Sequence, residues 1–87
     1  MKEQIRQFVM ENAQAKGITE IRDDESLMAT GVIDSLGIFR LVSFLEDTFH
    51  IRISDDEIVH DNFQTVGNIE SFVAAKLAKK ADAAPTR

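Results

Sequence analysis

Few side chains in this sequence can do chemistry unaided. It has no cysteine, so thiolate nucleophiles, thiolate metal sites and disulfides are excluded. Its two histidines are His50 and His60, and a serine nucleophile would need one of them as its base. The serine that draws attention is Ser35, in the stretch GVIDSLG (31–37), where a helix is set to begin. His50 lies past the far end of that helix, about 22 Å away, and is removed as a base within the chain. His60 sits in a polar, acidic stretch where an exposed histidine is expected, so no autonomous hydrolase is expected.

Two carboxylate clusters, Asp23-Asp24-Glu25 and Asp55-Asp56-Glu57, lack the alternating ligands, central glycine and distal glutamate of a calcium loop. No structural metal site is expected from them. Gly17, Gly31, Gly37 and Gly67 are scattered and form no phosphate-cradling loop. What remains is a hydroxyl at a helix entrance, beside unpaired backbone N–H groups that favour an anion. A phosphate ester on Ser35 would be well placed. Position alone leaves that reading open beside the simpler one, an ordinary first-turn serine.

The elements that must position Ser35 follow from apolar spacing. Ile5, Phe8, Val9 and Ala13 recur at helical intervals and Gly17 ends the run, which predicts a first helix over about residues 2–16. From Gly17 to Asp34 no period survives, although Ile18, Ile21, Leu27, Met28, Val32 and Ile33 are apolar; loops of this length are often functional. A second helix is predicted over 35–49, with Asp34 as its N-cap. Its apolar residues cover more than half its circumference, so contact from more than one side is expected. Ser54-x-x-Glu57 matches a capping box, predicting a short helix over about 54–59. Thr65 caps a last helix carrying Val66, Ile69, Phe72, Val73 and Leu77 on one face, to about Lys79. The expected fold is all-α: a four-helix bundle of three longer helices and one short one with a long first loop, with residues 1–80 as the domain and 81–87 as a flexible tail.

Charge narrows the partners. The net charge is −5, and between Asp23 and Glu70 eleven acids face only Arg40 and Arg52, a local −9. Such a field disfavours nucleic acid and anionic membranes and favours basic protein patches. No continuous apolar stretch marks a membrane span or a signal peptide, so a monomeric, cytoplasmic protein is expected.

The chain resembles the acyl carrier protein family, including the peptidyl and aminoacyl carriers. The resemblance rests on GVIDSLG (31–37), then IFRLVSFLEDTFHIRI (38–53) with its Leu45-Glu46 pair, Phe49 and Ile51, then DNFQTVGNIESFV (61–73), and covers roughly residues 3–78. It implies that Ser35 bears 4′-phosphopantetheine, transferred from coenzyme A by a magnesium-dependent phosphopantetheinyl transferase. The arm's thiol then carries an acyl or aminoacyl group as a thioester. The chain would be a carrier and not an enzyme, with Asp34, Leu36, Ile38, Phe39 and Arg40 as recognition residues. The implied partners are that transferase, an acyl- or aminoacyl-activating ligase or acyltransferase, and downstream synthase enzymes with basic docking patches.

Gly37 and Arg40 stand where housekeeping carriers usually have carboxylates, Phe44 adds apolar surface, and the Ile53–Thr65 spacing is longer. These departures point to a specialised polyketide, nonribosomal peptide or modified lipid pathway. The alternatives are a housekeeping fatty acid carrier or an unmodified acidic helical adaptor. Val42, Leu45, Ile69, Phe72 and Val73 are expected as plain core rather than as the lining of a cargo cavity, and the large Phe side chains point to a short or polar cargo.

Overall fold

A computed structural model describes residues 2–83. Among them the order is α1 (Lys2–Ala15), α2 (Ser35–Phe49), a 3-10 turn (Asp55–Glu57), α3 (His60–Phe63) and α4 (Val66–Ala83), with no strand. This is the expected all-helical bundle.

Ile5, Val9 and Ala13 bury one face of α1, the spacing that the sequence predicts. Its end is set by backbone geometry. The Ile18 N–H donates to the Ala13 carbonyl and the Gly17 N–H to that of Gln14, the paired bonds of a Schellman cap. These place Gly17 at a φ of +81°, where a side chain would be strained.

The long loop is held from both sides. Ile21, Leu27, Val32 and Ile33 are buried in the core beside Leu41, Leu45, Ile69 and Val73. Its backbone is tied down as well: the Leu27 N–H donates to the Gln64 carbonyl at 2.8 Å, and the Asp23 carbonyl accepts from the Gly67 N–H at 3.1 Å. From α1, Arg6 donates to the Ile21 carbonyl and to the Asp23 carboxylate, which Lys2 also meets at 2.6 Å. The hydrogen bond from Lys2 lowers the Asp23 pKa. Asp23 of the first acidic cluster thus fastens α1, the loop and the start of α4 together.

The sequence places the short helix over 54–59, and the structure moves it. Residues 55–57 form a single 3-10 turn, with the Ile58 N–H returning to the Asp55 carbonyl. Val59 is extended, with φ −122° and ψ 157°, as suits β-branched Ile58 and Val59. Asn62 donates its side-chain amide to the Glu57 carbonyl, and the separate helix α3 begins at His60. Helix α4 starts where Thr65 accepts the Asn68 N–H. It continues past Lys79 to Ala83, because an Ala- and Lys-rich segment has high helix propensity. Residues 81–83 of the expected tail are therefore helical, and 84–87 lie outside the described residues.

Glu57 joins these elements. Its carboxylate accepts the Ser54 N–H and hydroxyl and binds Lys76 of α4 at 2.9 and 3.0 Å. The Ser54 N–H, with Lys76 behind it, holds its pKa down to about 2. A depressed carboxylate stabilises the fold above its unfolded value of 4.5, and this is lost as pH falls toward about 2. Glu57→Gln should cost about 1 kcal/mol at neutral pH. It should also flatten the decline of Tm between about pH 4.5 and 2, measured by circular dichroism.

Candidate functional site

The site is the junction of loop and α2. Asp34 is in extended backbone conformation, and its carboxylate accepts the Gly37 N–H at 2.7 Å. The Ile38 N–H meets the Asp34 carbonyl, the first helical bond of α2. The bond from Gly37 lowers the Asp34 pKa, with a smaller contribution from Lys16, so the cap is anionic at neutral pH. Helix geometry leaves the Ser35 and Leu36 N–H groups without intrahelical acceptors.

Gly37 is buried. A Cβ there would come within 3.1 Å of Ile33 Cγ2 and 3.2 Å of Asp34 Oδ1, tighter than comfortable packing allows. The missing side chain lets α2 start directly against buried Ile33 while the cap closes. Lys16, just past α1, donates to the Gly31 carbonyl at 2.9 Å and lies 3.8 Å from Asp34 Oδ2. The end of α1 thereby steadies the turn that precedes Ser35.

Ser35 itself is exposed. Of the residues expected to surround it in recognition, Leu36 is 70% and Phe39 60% exposed, Arg40 is exposed, and Ile38 is half-buried. Contact from several sides, expected from the apolarity of α2, is therefore incomplete. Leu41, Val42 and Leu45 are buried, whereas Leu36 and Phe39 face solvent. Phe44 is half-buried and stacks on Phe8 of α1 with ring centroids 4.6 Å apart, so only part of it adds to the surface.

Val42, Leu45, Ile69 and Val73 are buried core residues, and Phe72 packs on Phe63, as the plain-core reading expects. A groove that includes Ile38, on the first turn of α2, is built from other residues: Met28 of the loop, Ile58, Val59, and His60 and Phe63 of α3 close it around about 150 Å³. Sequence reasoning missed it because its walls come from three separate segments. A larger depression of about 450 Å³ lies at the far half of α2, among Glu46, Arg52, Ser54, Glu57 and Lys76. Its Glu57–Lys76 pair and the Glu46 carboxylate, which accepts the Ile53 N–H, serve to fasten the fold.

A family model described as "Phosphopantetheine attachment site" matches residues 3–75. The chain belongs to the phosphopantetheine-binding carrier family. Similar proteins include the D-alanyl carrier proteins of Streptococcus pyogenes serotype M5 (strain Manfredo), serotype M49 (strain NZ131) and serotype M1, each 44% identical over 46 residues. The match covers 53% of this chain and 58% of each relative, so the chain spans a little over half the length of the curated relatives it matches.

Membership implies a covalently bound 4′-phosphopantetheine, and the site's chemistry fits one. An exposed hydroxyl stands at a helix start with two free N–H donors, an apolar groove lies beside the first turn, and the chain has no thiol of its own. Among the described residues no helix is long and apolar enough to cross a membrane.

The cap makes a testable contribution. Asp34→Ala should lower Tm by a few degrees while Asp34→Asn, which can still accept the Gly37 N–H, should stay near wild type, measured by thermal denaturation.

Proposed function

We propose that Ser35 bears the arm and that the holo chain carries an aminoacyl group of about the size of alanine. The observation that carries the first part is Ser35 itself: the exposed hydroxyl of a capped helix N-terminus, inside the matched region. The arm supplies the thiol on which the thioester forms. The chain's own residues hold and present it. The first-turn N–H groups and the positive end of the α2 dipole face the phosphodiester, while Lys16 balances the Asp34 carboxylate beside it. Leu36 gives the transferase an apolar contact.

For the cargo, support comes from the D-alanyl carrier relatives and from the groove. At about 150 Å³ it falls below the roughly 300–1,000 Å³ of pockets for larger ligands, which suits a short cargo better than a long acyl chain. Reaction chemistry belongs to partner enzymes. An adenylating ligase would join the cargo carboxylate to AMP with release of pyrophosphate, and the thiol would displace AMP and lose its proton. In this reading the chain is a carrier and not a catalyst. His50, in left-handed conformation at the C-cap of α2, is a helix-length from Ser35.

With coenzyme A, magnesium and a broad-specificity transferase, intact mass should rise by one phosphopantetheine, and Ser35→Ala should show no rise. Adding ATP, D-alanine and a D-alanine-activating ligase should then add one hydroxylamine-labile alanyl group. Modification of Ser35→Ala would overturn the attachment site, and exclusive loading with long acyl groups would overturn the cargo.

A further inference from the structure

The acidic middle of the chain favours basic partners, yet the exposed stripe of α2 has a different character. Leu36, Phe39, Arg40, Ser43 and Asp47 follow one another at helical spacing and are all exposed. Near Ser35 this stripe is apolar and cationic. Four of the eleven acids that give the middle its charge are engaged elsewhere: Asp23 with Lys2 and Arg6, Asp24 with Arg22, Glu57 with Lys76, and Glu46 with the Ile53 N–H.

Lys2, Arg6, Lys16, Arg22 and Lys76 each hold a carboxylate or a carbonyl. Arg40 makes no hydrogen bond or ion pair among the described residues, and its influence on Asp34 is the weakest of those acting there. The large apolar side chains most exposed among the described residues are Leu36 and Phe39 on this stripe, with Met28 and Val59. The last two share a groove with Ile38, so apolar surface continues from the groove onto the first turns of α2.

Resting on the aminoacyl-carrier reading above, we infer that the ligase that loads this carrier meets α2 with an apolar pocket for Leu36 and Phe39 and a carboxylate for Arg40. Charge complementarity decides the polarity. A basic patch against Arg40 would juxtapose like charges, and an apolar wall would bury a guanidinium unpaired, each at substantial cost. A carboxylate instead gives the planar fork its two-pronged partner. The long-range acidic field still governs encounter, while contact over α2 has the opposite sign.

The test uses holo protein, confirmed by intact mass, with ATP, D-alanine and a D-alanine-activating ligase. Arg40→Gln should lower kcat/KM for loading about tenfold, chiefly through KM, and Arg40→Glu about a hundredfold, with Arg40→Lys between wild type and Arg40→Gln. Added salt should narrow the gap between wild type and Arg40→Gln. Loading of Arg40→Glu at or above the wild-type rate would overturn the acidic-partner assignment and leave the aminoacyl reading standing. Failure to load wild type would overturn that reading and the surface with it. A wild-type dimer abolished by Phe39→Ala in sedimentation would give the patch to a second copy of the chain and also overturn the assignment.

Discussion

The Asp34 carboxylate accepts the Gly37 N–H at 2.7 Å, and this bond sets where α2 starts and which way its first turn points. It forms because Ile33 is buried on one side of the turn and Gly37, lacking a Cβ, can sit against it. Moving the helix start by one residue would change the direction of the first turn by about 100° and with it the direction in which Ser35 is presented. The rest of the bundle serves to hold that turn. The core fixes Ile33, Leu27 ties the loop to the end of α3, and Lys16 links the end of α1 to the Gly31 carbonyl.

Charge is arranged on two scales. The chain as a whole is acidic, −5, and such a field acts over a Debye length of about 8–10 Å on the rate of encounter. At contact distance some of those acids are occupied as fasteners. Asp23 joins α1 to the loop, Glu57 joins the 3-10 turn to α4, and Glu46 turns the chain after α2 by accepting the Ile53 N–H. The exposed side chains that follow Ser35 on the outer stripe of α2 are Leu36, Phe39 and Arg40. Net charge and contact surface therefore carry different information.

The three long helices were legible because amphipathic spacing and local caps are short-range signals. Ile5, Val9 and Ala13, the Asp34 cap and the Thr65 cap are each read within a few residues, and the structure has all of them. The short helix was not. Ser54-x-x-Glu57 does engage, but extended Val59 breaks the turn, and Glu57 is shared with Lys76, nineteen residues on. The stacking of Phe44 on Phe8 was not legible because the two are remote in sequence. The groove needs Met28, Ile38 and residues 58–63 brought together, and no local pattern announces that. The candidate serine was legible by type, position and family likeness, whereas which α2 side chains stand exposed beside it required the folded chain.

The central claim is that this cap presents one particular hydroxyl for modification. The chain offers five serines, at 26, 35, 43, 54 and 71, and Ser43, Ser54 and Ser71 are also exposed, so exposure alone does not select among them. Fragment-ion mass spectrometry of the holo protein locates the phosphopantetheine directly. Every modified fragment should contain Ser35, and none should contain another serine without it. Phosphopantetheine on any of the other four, with Ser35 unmodified, would contradict it.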